Sequence, residues 1–183
     1  KHYQNNPHDP KSLPGGSVYC ICIDHLENIW VGTNQGLALF NPVTEDFQVF
    51  RYEPGNPYSL ISNHIYDIKE MQDNRLWIAS DIGGISILDL RNITFMNPEN
   101  VKFQNITVTY DKHGLSSGNI RSIFQDLSGN IWIGNYSNGI DFISHTQPTF
   151  HTLPYTTEKG QIIKYKSVWG VHADKQQRIW LGS

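Results

Sequence analysis

The sequence lacks the features of membrane-spanning and nucleic-acid-binding chains. Its longest apolar runs are about five residues, which is far too short to cross a bilayer. The formal net charge is −3 and no block of basic residues occurs, which argues against nucleic acid as the main partner. Residues 1–10 are polar and do not resemble a secretory signal peptide. Hydrophobic residues still make up 38% of the chain and aromatic residues 12%, which is enough to build a core.

Cysteines and helical periodicity are also scarce. The two cysteines, Cys20 and Cys22, stand two positions apart and would point to the same face of a strand, a poor geometry for a disulfide. We expect them to serve as small buried hydrophobic residues. No Cys or His spacing predicts a metal site, and no cofactor is predicted. No long amphipathic helical window occurs, which argues against a helical repeat.

The sequence does contain a repeat built around four tryptophans. Trp30, Trp77, Trp132 and Trp180 are spaced 47, 55 and 48 residues apart. Each lies in similar text, such as Asn28-Ile-Trp-Val-Gly32. Aliphatic residues recur 17, 12 and 9 positions before every Trp. In chain order these positions hold Leu13, Val18 and Ile21; Leu60, Ile65 and Ile68; Leu115, Ile120 and Ile123; and Ile163, Val168 and Val171.

Each repeat has the pattern of four short strands. In the first repeat the strands are predicted over Val18–Ile23, Ile29–Gly32, Leu37–Phe40 and Phe47–Tyr52. Glycine stands six or seven residues after the first three tryptophans, where a tight turn needs a positive φ. A period of this length with four strands per unit is typical of β-propeller blades. The predicted fold class is therefore all-β, with blades of four antiparallel strands, and Trp30, Trp77 and Trp132 are expected to be buried on the second strand of each blade.

An aspartate stands six residues before three of the four tryptophans. Asp24, Asp126 and Asp174 are predicted to cap the hairpin between the first two strands through side-chain bonds to the backbone. The second repeat has Met71 at this position, which predicts a turn of different construction. Because these residues recur once per blade, whereas an active site is unique, a structural role is favoured over a catalytic one.

The repeats predict blade boundaries along the chain. Tyr3 to Leu13 matches Tyr52 to Leu60, so residues 1–13 are expected to end a preceding blade and form a link. Blades are predicted over 14–60, 61–115 and 116–163, with an insertion at about 91–102 and a further blade starting at 164–183. Three blades do not close a ring. We therefore expect an incomplete ring, with the remaining blades elsewhere in a longer polypeptide.

The third repeat shows every element of the pattern that recurs within the chain. It runs through Gly114, Leu115, Ile120, Ile123, Asp126, Gly129, Trp132 and Gly134. This text, together with the link Phe50 to Leu60, resembles the two-component-regulator propeller repeat. The resemblance covers the chain apart from about 91–102, and its motifs are specific for the repeat class but not for a ligand.

The resemblance implies a setting for the chain. Such repeats form the periplasmic sensor region of hybrid histidine kinases in Bacteroidetes, anchored in the inner membrane. It implies an oligosaccharide ligand, signalling to the transcription of glycan-use genes, and a homodimer of the full-length protein. The region itself is then not an enzyme. Two alternatives stay open: a propeller enzyme, either a lyase or glycan-active, and a propeller for protein interaction.

A candidate ligand site lies eleven residues before each Trp. This position of the innermost strand is large in every repeat but varies in type, and nearby loops add polar and aromatic residues. Aromatic rings stack on pyranose C–H faces, while Arg and Asn bond hydroxyls or a uronate. The alternative is that these side chains only pack blade on blade near the axis. The candidate residues are Tyr19, Tyr66, Arg121 and Trp169, with Asn34, Asn63, Asp81, Asn119, Tyr136 and Asn138 in the loops; no catalytic or metal-binding residue is predicted.

Overall fold

The computed structural model describes residues 1–92, 101–108, 114–146, 150–153, 167–176 and 178–182. These residues form fourteen strands and one short 3-10 helix, Leu90–Asn92. The first blade contains β1 (Val18–Ile23), β2 (Ile29–Thr33), β3 (Gly36–Asn41) and β4 (Asp46–Phe50); the second β5 (Ile65–Glu70), β6 (Arg75–Ser80), β7 (Ile85–Asp89) and β8 (Phe103–Ile106); the third β9 (Ile120–Gln125), β10 (Ile131–Asn135), β11 (Ile140–Ile143) and β12 (Phe150–Leu153); the fourth β13 (Gly170–Ala173) and β14 (Ile179–Gly182).

Each of the first three blades is a four-stranded antiparallel meander, with its strands in chain order. β13 and β14 form a two-stranded sheet. The described sheets do not close a ring. The predicted fold class is confirmed, and the strand bounds of the first blade agree within one residue, except that β4 ends at Phe50, two residues before the predicted end. The three turn glycines adopt the expected positive φ: Gly36 at 129°, Gly84 at 123° and Gly139 at 75°.

The first strand of each blade is the innermost. β1 lies against β5, β5 against β9 and β9 against β13, so the blades fan around one axis. Apolar side chains of neighbouring blades meet between the sheets. Trp30 of the first blade packs with Ile65 and Ile68 of the second, and Trp77 of the second packs with Ile120 of the third.

The predicted burial of tryptophan is confirmed for Trp30 and Trp77, which are almost inaccessible to solvent. It is wrong in degree for Trp132, which stays partly exposed, and Trp180 is 56% exposed. The difference at Trp132 arises because a blade tryptophan is covered by the following blade, as Ile65 and Ile68 of the second blade cover Trp30. The described part of the fourth blade has two strands only, so it covers Trp132 incompletely.

Aspartate caps the hairpin between the first two strands, as the sequence predicts. Asp24 Oδ1 accepts hydrogen bonds from the backbone N–H groups of Leu26 and Asn28, both at 2.9 Å. Its Oδ2 accepts from the side chain of Asn28 and from the indole Nε1 of Trp30. Asp126 and Asp174 make corresponding bonds, including those to Trp132 and Trp180.

The prediction of a differently built turn in the second blade is wrong for the backbone. The N–H of Met71 bonds the carbonyl of Arg75, and the N–H of Asn74 bonds that of Met71, which is the pattern of Asp24 with Asn28 and Glu27. Asn74 has φ 60° and Glu27 has φ 64°. The residue with positive φ therefore sets the path of the turn, and the aspartate is not needed for it. The side-chain cap differs: the N–H of Arg75 donates to Asp73 Oδ1 at 3.3 Å, and the indole Nε1 of Trp77 has no acceptor among the described residues.

The predicted insertion at 91–102 belongs to the connection between β7 and β8. These strands pair antiparallel from Ile85↔Ile106 to Leu88↔Phe103, so the connection is a long outer hairpin. Residues 93–100 lie outside the described residues. Among the described residues, no helix is long and apolar enough to span a membrane.

Candidate functional site

A β-bulge in each innermost strand sets the position of the candidate site residues. In β1, Val18 pairs with Thr33 and Cys20 with Gly32, which leaves Tyr19 as the extra residue. The same shift leaves Tyr66 unpaired in β5 and Arg121 unpaired in β9. A bulge turns its extra side chain away from the regular alternation of the strand. The repeated position eleven residues before each tryptophan is thus a bulge position in the first three blades.

The three bulge side chains form one continuous stack around the axis together with Tyr136 and Trp169. The rings of Tyr19 and Tyr66 stack with centroids 4.8 Å apart at 28°. The guanidinium carbon of Arg121 lies 3.7 Å from the centroid of Tyr66, 4.7 Å from that of Tyr136 and 5.5 Å from that of Trp169. Tyr136 and Trp169 meet edge to face at 5.5 Å. We call these five residues the aromatic–arginine stack.

Arg121 is the buried centre of this stack. Its Nη2 donates to Asp81 Oδ1 at 3.0 Å, and its side chain is only 9% exposed. Its Nε and Nη1 are buried without a nitrogen or oxygen partner among the described residues. The π-faces of three rings take the place of such partners, since cations are attracted to aromatic faces. Arg121 therefore holds neighbouring blades together and fixes the rings around it.

The two ends of the stack remain accessible. Tyr19 is 44% exposed and Trp169 is 58% exposed. Tyr66, by contrast, lies between Tyr19 and Arg121, so both faces of its ring are covered. The sequence prediction thus names residues that do come together, and the structure divides them into accessible rings and a buried centre.

A groove of about 1040 Å³ opens beside the stack. Backbone hydrogen bonds connect the two regions: the N–H of Asp81 bonds the carbonyl of His64, and the N–H of Tyr136 bonds that of Asn119. Its walls come from the turns β2–β3 and β6–β7, the loops before β5 and β9, and the segments that follow β4 and β8. The groove is lined by Asn34, Gln35, Arg51, Tyr52, Ile61, Ser62, Asn63, His64, Ile82, Gly83, Thr107, Val108, Gly118 and Asn119.

The candidate loop residues take different positions. Asn34 lines the groove, and its Oδ1 accepts from the backbone N–H of Ser17 at 3.2 Å. Asn138 instead donates to the carbonyl of Ser116 at 2.7 Å and anchors its own loop. Sequence reasoning missed Arg51 and His64 as groove residues. Neither lies at a repeated offset, so a single sequence carries no periodic pattern that would single them out.

No group of three His, Cys, Asp or Glu side chains within the described ranges has the arrangement of a metal site. Cys20 and Cys22 are free thiols. Both are partly buried against the core between the first two blades. Burial raises the pKa of both thiols, which makes them poor nucleophiles.

Two segments of the chain match the model of a known repeat family. Residues 12–35 and 114–137 match the family "Two component regulator propeller". Both segments are two-component regulator propeller repeats. Each contains the loop before the innermost strand, the bulge position, the hairpin cap and the tryptophan strand.

The propeller repeats have relatives among solved and curated proteins. The chain is 40% identical to the extracellular domain of BT3049 from B. thetaiotaomicron, assigned as a hybrid two-component system, with a TM-score of 0.59. It is 23% identical to that of BT4673 from the same organism, with a TM-score of 0.74, which shows the fold alone. A curated relative, Histidine kinase P4 of Formosa agariphila, is 32% identical over 92 residues.

The comparisons cover most of this chain but little of each relative. Both solved domains are matched over 93% of this chain, which corresponds to 20% and 22% of their own lengths. The match to Histidine kinase P4 covers 47% of this chain and 6% of that protein. The chain is accordingly similar to a piece of the extracellular propeller region of two-component systems.

Proposed function

We propose that this chain is part of the extracytoplasmic ligand-sensing propeller of a hybrid two-component histidine kinase and response regulator. In this proposal the ligand is an oligosaccharide, and its binding signals to the transcription of glycan-use genes. The propeller lies in the periplasm as part of a protein anchored in the inner membrane, and the full-length protein is a homodimer. The similarity to the extracellular domain of BT3049 supports the setting.

The aromatic–arginine stack carries the proposed ligand contact. Rings at its ends, Tyr19 and Trp169, present accessible surface for the C–H face of a pyranose. Arg121 acts as a positioning residue, because its guanidinium is buried against three rings and paired with Asp81. Fixing the rings before the ligand arrives lowers the entropic cost of binding.

The remaining blades of the same polypeptide are the proposed neighbours of the first blade. Ile21 of β1 is 65% exposed, whereas Ile68, its counterpart in β5, is 4% exposed because the first blade covers it. Val18 of β1 is likewise exposed, whereas Ile65, its counterpart in β5, is buried. A preceding blade that brings its own tryptophan would bury this apolar face as the first blade buries β5.

Calorimetry on the full chain with a panel of neutral and acidic oligosaccharides tests the proposed function. We expect binding of at least one sugar, and a loss of about tenfold or more in affinity for Tyr19→Ala or Trp169→Ala, the equivalent of one good stacking contact. Tyr58→Ala is the matched control, since Tyr58 is an exposed tyrosine outside the stack and the groove. A folded protein that binds no sugar of the panel would overturn the sensing proposal.

A further inference from the structure

The groove beside the stack combines a cation with free hydrogen-bond donors. Arg51 is exposed and makes no salt bridge with any described carboxylate. His64 stands at the same groove. Among the described lining residues none is an aspartate or a glutamate, although the chain as a whole has a net charge of −3. The described lining of the groove therefore carries a positive charge, whereas the chain as a whole is negatively charged.

The asparagine side chains that line the groove also present donors. Asn34 Oδ1 accepts from the backbone N–H of Ser17 at 3.2 Å, and Asn63 Oδ1 accepts from that of Tyr52 at 2.8 Å. Because a backbone N–H can only donate, these bonds fix the oxygen of each amide toward the protein. The Nδ2 groups of Asn34 and Asn63 are then left without a hydrogen-bond acceptor among the described residues, at the surface of an open groove.

Apolar side chains complete the lining. Ile82, Val108 and Tyr52 are exposed beside the donors, and the volume of about 1040 Å³ is just above the roughly 300–1,000 Å³ of ligand pockets. A guanidinium, two amide donors and a small apolar wall suit a sugar ring that carries a carboxylate or a sulfate. An acidic sugar would make apolar contacts with this wall, which water does not, and would give the guanidinium of Arg51 a negatively charged partner, which a neutral sugar does not.

We infer that this groove binds an acidic sugar, with Arg51 pairing its carboxylate or sulfate and the amides of Asn34 and Asn63 donating to its oxygens. The inference rests on the proposed function and narrows its ligand to an anionic oligosaccharide. Asn34 of the groove bonds Ser17, two residues before the accessible ring of Tyr19, so one elongated ligand would contact both the groove and the aromatic–arginine stack. The charged unit then lies outward, in the groove, and the rings at the axis contact a neighbouring sugar unit.

The test uses the full chain and three trisaccharides of matched length: tri-galacturonate, a sulfated galactotriose and neutral galactotriose. We expect calorimetry to give an affinity at least about tenfold higher for an acidic probe than for the neutral one, as a charge-assisted bond provides, and this advantage to fall as salt is raised. The stronger of the two acidic probes decides between carboxylate and sulfate. Arg51→Gln should remove the advantage, and Arg51→Lys should keep part of it.

Arg91→Gln is the matched control, because Arg91 is an exposed arginine outside the groove and its loss changes the net charge equally. A circular dichroism spectrum checks that each variant is folded. Equal affinity for neutral and acidic probes, or an unchanged preference in Arg51→Gln, would overturn the acidic-ligand inference while leaving the sensing proposal in place. A folded protein that binds none of the three sugars, nor any sugar of the wider panel, would overturn both.

Discussion

The indole Nε1 of Trp30 donates a hydrogen bond of 2.9 Å to Asp24 Oδ2, and both side chains are buried between the first two blades. The same carboxylate also accepts two backbone N–H groups of its turn. One aspartate therefore links the hairpin to the tryptophan that fills the space between blades. The second blade has no such bond, and the buried Nε1 of Trp77 lacks an acceptor among the described residues.

Replacing Asp24 by alanine should destabilise the propeller strongly. The change removes the turn cap and leaves the buried Trp30 N–H without an acceptor, so we expect a loss of about 2–4 kcal/mol in the free energy of unfolding. Urea denaturation followed by tryptophan fluorescence measures it. Asp73→Ala, at the exposed turn of the second blade, is the control and should cost less than about 1 kcal/mol. Equal losses for the two variants would contradict the proposed role of Asp24.

Trp30 and Trp77 should respond differently to phenylalanine. Both substitutions lose indole volume, but Trp30→Phe also breaks the bond to Asp24, whereas Trp77→Phe removes a buried N–H that has no acceptor. We expect Trp77→Phe to be the milder change by about 1 kcal/mol in unfolding free energy. The same denaturation measurement applies. A larger loss for Trp77→Phe would mean that packing differences outweigh the hydrogen bond.

The carboxylate of Asp67 joins the innermost strands of the second and third blades. Its Oδ2 accepts from the backbone N–H of Ile123 at 2.7 Å, and its Oδ1 from that of Ile68 at 2.9 Å. Desolvation outweighs these bonds and raises the pKa of Asp67 above its ordinary value of 3.8. The protonated form is thus favoured in the folded state. Its contribution to stability is present below pH 3.8 and is lost as the pH rises through the folded pKa.

The direction of this pH dependence can be measured by comparing the stability of the wild type with that of Asp67→Asn. The variant cannot ionise, so the stability of the wild type relative to it should fall as the pH rises above 3.8 and become constant once Asp67 is ionised in both states. Asp46→Asn is a control of opposite sign, since a hydrogen bond from Thr44 lowers the pKa of Asp46. A relative stability of Asp67→Asn that does not change with pH would contradict the assignment.

Much of the fold could be predicted from the sequence because the repeat makes each blade an independent copy of the same pattern. The offsets of the aliphatic residues identify the strands, and the offset of Trp30 identifies the core between blades. The aromatic–arginine stack could be predicted for the same reason, because Tyr19, Tyr66 and Arg121 stand at the same offset from their tryptophans. The sequence did not indicate that the offset is a bulge, because a bulge shifts the pairing of strands without changing their composition.

The turn of Met71 and the groove show where sequence prediction fails. Asp24 and Met71 differ in chemistry, which suggested different turns, yet the backbone bonds of the two turns match because Glu27 and Asn74 share a positive φ. Asparagine is enriched at positive φ, so Asn74 gives a weak sequence signal, whereas Glu27 gives none. The groove depends on loops and strand ends of three blades that meet in space. Arg51 and His64 lie in two segments that come close together only in the fold, and no repeated sequence offset predicts this proximity.

Gly84 is required by the turn between β6 and β7, where φ is 123°. A Cβ at this position would overlap the carbonyl oxygen of Ile106 on the neighbouring strand β8. Gly84→Ala should therefore destabilise the propeller by about 3 kcal/mol or more, since steric overlap with a backbone atom adds to the strain of the left-handed conformation. Gly16→Ala is the matched control: Gly16 has no positive φ, its Cβ would meet nothing within 4 Å, and its effect should stay within about 0.5 kcal/mol. Thermal or urea unfolding of the two variants compares these costs directly. A Gly84→Ala protein as stable as Gly16→Ala would show that the turn can change its path, and with it the hydrogen bonds from Ser80 to the carbonyl of Gly84.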